Sequence, residues 1–339
     1  MDDVRLGMVG LGGWGKFVAQ TFARTPHCRM THICDANSTT LEERRLQYPA
    51  AQATLHYEEL LADANIDAIA LVTPAPFHFG MARAALLADK HVYVEKPLTL
   101  RVDHAEELVE LAERRGRKLM VGHLLEYHPA VSLMKQQVDG GHLGDIYYIY
   151  CQRVNLGVVR QHENAFWSLA PHDISVILYL FGQEPERVVV SGEDFLQRGI
   201  EDVVVASLHF TDGRMANIHV SWLDPHKTRK IVVVGSEKML VFDDMQASEK
   251  VRIYDKKAIV ETGSVGAIAS ITVRHGDILV PSISHQQPLA IETSHFIESI
   301  RNDTQPRSDG HDGLRVVRVL DEVERQLSRS RPKVLQKAA

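Results

Sequence analysis

Gly10-Leu11-Gly12-Gly13-Trp14-Gly15 is the stretch that most constrains this 339-residue chain. It follows a short apolar run, Arg5–Val9, and opens a helical stretch that reaches about Arg24. G-x-G-x-x-G between a strand and a helix is the setting in which the motif binds a dinucleotide. Gly10 permits the tight turn, Gly12 lets the backbone approach a pyrophosphate, and Gly15 lets helix and strand pack closely. Gly13 and Trp14 lie on the same loop. The helix N-terminus offers free N–H groups and the positive dipole end to phosphates. An unrelated α/β protein or a methyltransferase can carry a similar turn, so the motif needs support from its surroundings.

The next strand supplies it. Met30–Cys34 is apolar on balance and ends at Asp35, the spacing expected of the acid that binds an adenosine ribose. A carboxylate there accepts from the 2′-hydroxyl and repels a 2′-phosphate. Ala36 and Asn37 add no cation, which favours NAD over NADP. Arg44 and Arg45 come later, on the following helix, and are expected to face solvent.

Further β–α units follow. Ala53–Leu55 and Tyr57–Ala62 read as strand and helix. Ala68–Val72 is a strand that runs into Thr73-Pro74-Ala75-Pro76, and Phe77–Ala88 is helical. His78 is within reach of the nicotinamide side, although a histidine at a helix start ordinarily faces water. His91–Val94 is a strand ending at Glu95-Lys96-Pro97, a charged tripeptide on the edge where open α/β sheets bind ligands. A surface turn would read the same way in isolation. A helix to about Arg115 and a sixth strand, Leu119–Val121, complete the alternation, which indicates a parallel doubly wound sheet. Lys96–Pro97 is a candidate cis peptide, since Pro has only a small trans preference.

After Gly122 the rhythm changes. A helix near Ala130–Gln137 gives way to strands at Ile146–Val154, Arg187–Ser191, Val203–Phe210, Met215–Ser221, Lys230–Val234, Met239–Phe242 and Val251–Tyr254. Turns such as Thr211-Asp212-Gly213 suggest antiparallel hairpins. Helices at about Leu289–Asn302 and Gly313–Ser328 close the chain. The fold class is therefore α/β: a Rossmann domain over residues 1–123, then an α+β domain over 124–339 with a large, mainly antiparallel open sheet.

One helix interrupts those strands. Pro171 opens it and Gly182 stops it. Ile174, Ile177, Leu178 and Phe181 form an apolar face, and His172 lies roughly 170–200° away from that face. His172 is thus not a core histidine. In the first turn the helix dipole disfavours imidazolium and keeps the ring neutral and basic. An ordinary solvent-exposed histidine is the competing reading.

Composition narrows the classes. The chain is 45% hydrophobic and 24% charged with a formal net charge of −6, so nothing pulls it globally toward nucleic acid or an anionic membrane. No run reaches membrane-span length, and Met1-Asp2-Asp3 has no secretory n-region. Cys28, Cys34 and Cys151 are odd in number and lack metal-ligand spacing, so buried thiols, no metal and a cytoplasmic setting are expected.

Together, Gly10–Gly15, Asp35, Glu95-Lys96-Pro97, the stretch Gly122–Pro129 and His172 resemble the glucose–fructose oxidoreductase / inositol dehydrogenase (Gfo/Idh/MocA) family over nearly the whole chain. The resemblance implies that Lys96 and His172 carry the chemistry, and that Thr73, Pro74, His78, Glu95 and Lys96 join the glycine loop in binding NAD. The family often has an aspartate four residues before the histidine; here that position is Ser168. Arg153–Gly157, Glu163-Asn164, Trp167–Asp173 and Ser221–Lys227 look like a subgroup acting on nucleotide sugars, the UDP-N-acetylglucosamine 3-dehydrogenases. That resemblance implies a 3-keto product, a downstream aminotransferase in amino-sugar synthesis for cell-envelope glycans, and a homodimer or homotetramer. Arg153, Asn155, Trp167, His226 and Lys227 are the candidate substrate contacts. Neutral His172 suits a base and cationic Lys96 a stabiliser of the alkoxide, though a desolvated Lys96 could exchange roles. A dehydrogenase of a free sugar or inositol, or a non-catalytic NAD sensor, are the alternatives.

Overall fold

A computed structural model describes residues 3–261 and 270–330; Met1, Asp2 and the residues from 331 on lie outside the described residues. The chain forms two compact units, Met1–His128 with His285–Arg318, and Pro129–Ser284 with Val319–Ala339.

The first unit is built on β1 (Val4–Val9), α1 (Gly15–Phe22), β2 (Cys28–Cys34), α2 (Ser38–Gln47), β3 (Gln52–Thr54) and α3 (Tyr57–Ala62). It continues with β4 (Ala68–Leu71), α4 (His78–Leu87), β5 (His91–Glu95), α5 (Val102–Arg115) and β6 (Leu119–Gly122). All six strands are parallel, in the order β3-β2-β1-β4-β5-β6. The order reverses at β1 and β4, so the loops leaving those two strands flank a ligand crevice. β4 and β6 are buried along their whole length, as strands covered by helices on both faces must be. Local chemistry sets the helix ends. The Asn37 side chain accepts from the Thr40 N–H at the start of α2, and Gly116 ends α5 in the left-handed region at φ 61°.

The second unit contains α6 (Pro129–Asp139), β7 (Ile146–Val154), α7 (Ala165–Leu169), α8 (Pro171–Phe181), β8 (Arg187–Glu193), β9 (Val203–His209) and β10 (Met215–Ser221). β11 (Thr228–Gly235), β12 (Met239–Asp243), β13 (Val251–Glu261) and β14 (Ser270–Leu279) follow. The sheet order is β14-β13-β12-β11-β7-β10-β9-β8, antiparallel except for the parallel pair β7/β10. Val204, Ala206, Leu208, Ala216, Ile218 and Val220 are fully buried on one face, while Val189 and Val205 are exposed on β8 and β9. The sequence reading stopped β13 at Tyr254 and missed β14. Val251 and Ile253 are buried, but beyond Tyr254 the apolar residues stay in solvent, Ile259 at 38% and Ile271 at 68% exposure, so no buried face imposed a readable period there.

The closing helices are α9 (Pro288–Arg301) and α10 (Gly310–Ser330). The sequence reading placed everything after residue 123 in one second domain; the first unit instead takes back His285–Arg318. The physical reason is α9. Its Phe296 ring lies 6.3 Å from Phe22 and 5.9 Å from Tyr93, edge-on to both, inside the first unit's core.

Candidate active site

Backbone crowding shapes the loop between β1 and α1. Gly10 has φ +86°, and a Cβ there would lie 2.2 Å from the Val72 carbonyl oxygen. A Cβ on Gly15 would lie 2.1 Å from the Gly10 carbonyl oxygen. Gly12 differs: among the described residues nothing lies within 4 Å of where its Cβ would be. The fold does not require glycine at Gly12, and the open space above it is where a phosphate can approach the backbone. No side chain caps the first turn of α1 among the described residues, and the Lys16 and Phe17 N–H groups donate to the Gly12 and Trp14 carbonyls at 3.0 and 2.9 Å, so what the helix start offers an anion is its positive dipole end.

At the end of β2, Asp35 Oδ2 accepts from the Leu11 N–H at 2.7 Å and Oδ1 from the Asn37 N–H at 2.8 Å. Each oxygen keeps acceptor capacity, which fits two ribose hydroxyls. These residues fit the adenosine and pyrophosphate half of NAD. Arg45 pairs with Glu42 on the surface as expected, but Arg44 does not face solvent. Its side chain is 16% exposed and its Nε donates to the Leu11 carbonyl at 3.4 Å.

The Glu95-Lys96-Pro97 turn leaves β5 beside Gly122 of β6, and the Lys96–Pro97 peptide is cis. Trp14 reaches across from the glycine loop and donates its Nε1–H to Glu95 Oε1 at 2.6 Å. The Lys96 N–H donates to Glu95 Oε2 at 3.2 Å, and the Tyr93 hydroxyl lies 3.4 Å from Oε1. Burial pushes the Glu95 carboxyl up; the Trp14 bond and the Lys96 charge oppose that. Lys96 itself is half-buried.

His78 corrects the sequence reading. It is buried, not facing water, and its Nδ1 and Nε2 lie 2.7 Å from the Pro97 carbonyl and 2.8 Å from the Thr73 carbonyl. Both partners are acceptors and a neutral ring has one N–H, so His78 sits between the Thr73-Pro74 and Lys96-Pro97 turns and donates to one of the two carbonyls, according to its tautomer. Burial, reinforced by the Lys96 charge, lowers its pKa.

Two residues on this edge escaped the sequence reading. His123 directly follows β6, is fully buried, and has no hydrogen-bond partner on either ring nitrogen among the described residues. Burial lowers it to about 4, with Lys96 and Arg315 pushing the same way and Asp312 opposing. Glu126 is equally buried, and burial together with Asp312 raises its carboxyl well above the usual range. The rule that singled out Lys96, the C-terminal edge of a parallel strand, also covers His123.

In the second unit, every residue of α8 except His172 and Tyr179 is buried. These two are seven apart, two turns along one stripe. His172 therefore occupies the side opposite the apolar face, as helix geometry implied. Ala170 keeps helical dihedrals between α7 and α8, so Ser168 precedes His172 by about one turn.

Arg153 does not stand free for a substrate. It is buried, and its Nε and Nη2 donate to Asp173 Oδ2 and Oδ1 at 2.8 and 2.9 Å. Its charge is spent inside the fold. Directly opposite on β11 lies Arg229, which the sequence reading did not select. It is exposed and lies within 4 Å of no carboxylate among the described residues. Partial burial and the Arg153 charge lower its pKa, while the Asp244 and Asp173 charges oppose them. Only the cross-strand register puts Arg229 beside Arg153 and Asp173. Asn155 is half-buried just beyond β7, where its N–H donates to Ser221 O at 3.1 Å. Trp167 is half-buried on α7, while His226 and Lys227 are exposed before β11.

Comparison with known proteins agrees with both units. A model described as an oxidoreductase family with an NAD-binding Rossmann fold matches residues 4–123, and the GFO/IDH/MocA C-terminal domain matches residues 131–241. The uncharacterized oxidoreductase YdgJ of Escherichia coli is 32% identical, over 69% of this chain and 70% of its own. The UDP-N-acetylglucosamine 3-dehydrogenase of Acidithiobacillus ferrooxidans is 26% identical over 94% of this chain and 95% of its own. A solved structure of that enzyme superposes with a TM-score of 0.80 over 96% of this chain and 97% of its own. The scyllo-inositol dehydrogenase of Lactobacillus casei, solved with NAD(H) and scyllo-inositol, shares the fold at 22% identity and a TM-score of 0.78, over 96% of each chain.

Proposed function

The chain belongs to the Gfo/Idh/MocA oxidoreductase family, and from that premise we propose that it oxidises the C3 hydroxyl of a nucleotide sugar, UDP-N-acetylglucosamine, to the 3-keto form. Its NAD-binding Rossmann domain and its relatives make it an NAD-dependent oxidoreductase acting on CH–OH groups. The observation that carries the substrate reading is Arg229, a guanidinium with no carboxylate within 4 Å among the described residues, on the strand next to β7. A UDP diphosphate would give such a cation charge-assisted hydrogen bonds; inositol would not. The 26% identity to a UDP-N-acetylglucosamine 3-dehydrogenase over nearly the full chain points the same way.

Bound NAD supplies the hydride acceptor. Lys96 holds the C3 oxygen and stabilises alkoxide character, and His172, outside the apolar core, takes the hydroxyl proton. Lys96 is kept in place by the turns that His78 sits between and by the Glu95–Trp14 bond. The 3-keto product is a substrate for an aminotransferase. Exposed Val189 and Val205 on the uncovered face of the second sheet fit a homodimer or homotetramer. Among the described residues no helix is long and apolar enough to cross a membrane.

The test is NADH formation with UDP-N-acetylglucosamine, N-acetylglucosamine and myo-inositol at matched concentrations, then NMR of the product. The expected result is far higher kcat/KM for the UDP-sugar, with the carbonyl at C3. Equal activity on the free sugar, or a keto group elsewhere, overturns the assignment.

A further inference from the structure

Trp14 and Glu95 are joined across a strand that belongs to neither. Trp14 lies on the loop that leaves β1, Glu95 ends β5, and β4 runs between those strands in the sheet. Neighbouring strands lie about 4.8 Å apart, so the indole reaches over two spacings, roughly 10 Å, past the end of β4. The loops leaving β1 and β4 flank the ligand crevice, so the Trp14 side chain crosses it. Its bond to Glu95 Oε1, at 2.6 Å, is at the short end even for a charged acceptor.

The two ends of this bond are held very differently. Glu95 is a fixed post. Its Oε2 accepts from the Lys96 N–H at 3.2 Å, and its Oε1 lies 3.4 Å from the Tyr93 hydroxyl. The Tyr93 ring is wedged edge-on between Phe22 at 5.5 Å and Phe296 at 5.9 Å, and a Cβ on Gly122 would lie 3.1 Å from Glu95 Oε1. Trp14 is a movable arm. It is 43% exposed, and its one ring neighbour among the described residues, Phe17 at 6.0 Å, is itself 48% exposed. Gly12 and Gly13 precede it, and among the described residues nothing lies within 4 Å of where either Cβ would be. An exposed side chain beside such glycines changes rotamer readily once its bond to the post is broken.

We propose that the Trp14–Glu95 bond is the latch of the dinucleotide site: it closes the crevice of the empty chain, opens by rotation of the indole to admit the cofactor, and re-forms over it. Entry and exit then both require the broken bond. The post is the residue before Lys96, so closing the latch also returns the Glu95-Lys96 turn to one position. Cofactor loading and placement of the cation become a single event.

The inference rests on the dinucleotide site and not on the sugar reading, so the test uses no sugar. NADH association and dissociation are followed by stopped flow through the nicotinamide fluorescence. The proteins are the native chain, Trp14→Phe, Glu95→Gln and Trp14→Phe/Glu95→Gln. Phe keeps an aromatic ring and lacks the N–H. Trp14→Phe is expected to raise kon and koff together, each about tenfold, the worth of a hydrogen bond to a charged group, with Kd nearly unchanged. In the Glu95→Gln background the same substitution is expected to change neither rate constant by more than about twofold, because the bond it removes is already weakened. A rise in only one rate constant, a fall in either, or no change overturns the proposal. So does a Trp14→Phe effect that is as large in the Glu95→Gln background as in the native chain.

Discussion

Arg153 and Asp173 form a bidentate ion pair in the core of the second unit, with N···O distances of 2.8 and 2.9 Å, one residue along the chain from His172. Removing one partner leaves the other charge buried without compensation. Asp173→Ala is therefore expected to cost about 3–5 kcal/mol of stability. Arg153→Met combined with Asp173→Leu should cost less than either change alone. Urea unfolding of the three variants checks this; a double variant that loses the sum of the singles would contradict it.

The glycines of the first loop should separate by cause. Gly10→Ala meets the Val72 carbonyl and a positive φ, so it should lower the melting temperature. Gly12→Ala meets no described residue within 4 Å, so it should melt near the native temperature while binding NADH at least tenfold more weakly. Differential scanning fluorimetry and NADH titration distinguish the two.

Arg229→Ala is expected to raise KM for a UDP-sugar about tenfold or more, the worth of a lost charge-assisted bond to a diphosphate. Activity on a sugar lacking the diphosphate should barely change. Initial rates on the two substrates decide it, and a parallel loss on both would remove Arg229 from the diphosphate.

Lys96→Met and His172→Asn should each lower kcat by about 10²–10⁴. Neither replaces a residue of the apolar core, so urea midpoints should stay close to native. A His172→Asn enzyme with normal turnover would make His172 an ordinary exposed histidine.

Burial of Glu292, helped by the Glu95 charge, raises its carboxyl well above the ordinary value of 4.5, with the Tyr93 hydroxyl 3.2 Å away. The folded chain keeps this proton above pH 4.5 while the unfolded chain releases it. Stability present at pH 4 is therefore lost as pH rises, by about 1.4 kcal/mol per pH unit until the folded carboxyl titrates. Glu292→Gln has no proton to release. It should match the native chain near pH 4 and exceed it at pH 8, as read from unfolding midpoints. His123 works in the opposite direction: lowered to about 4, it withdraws stability as pH falls from about 6.5 toward that value.

The sequence alone determined the parts whose signal is local. Gly10–Gly15 between strand and helix, Asp35 at the end of β2, Lys96 at a parallel strand's edge and His172 off an apolar helix face all follow from neighbours a few residues away. So do the alternating first half and most strands of the second sheet, because a buried face imposes its period on the chain. What tertiary structure decided is which charges remain available. Arg153 and Arg229 look alike in sequence, yet 20 residues beyond Arg153 the chain brings Asp173 to it, while Arg229 across the ladder has no carboxylate within 4 Å among the described residues and feels Asp244 and Asp173 only at longer range. His78 was drawn out of water only because two turns, one at β4 and one at β5, bring a carbonyl to each of its ring nitrogens. Arg44 left solvent because α2 carries it under the glycine loop, and α9 rejoined the first unit because Phe296 completes a ring cluster begun by Phe22 and Tyr93. Pairing of charges and filling of cores are properties of distances in space, and those are fixed only when segments far apart in the chain pack together.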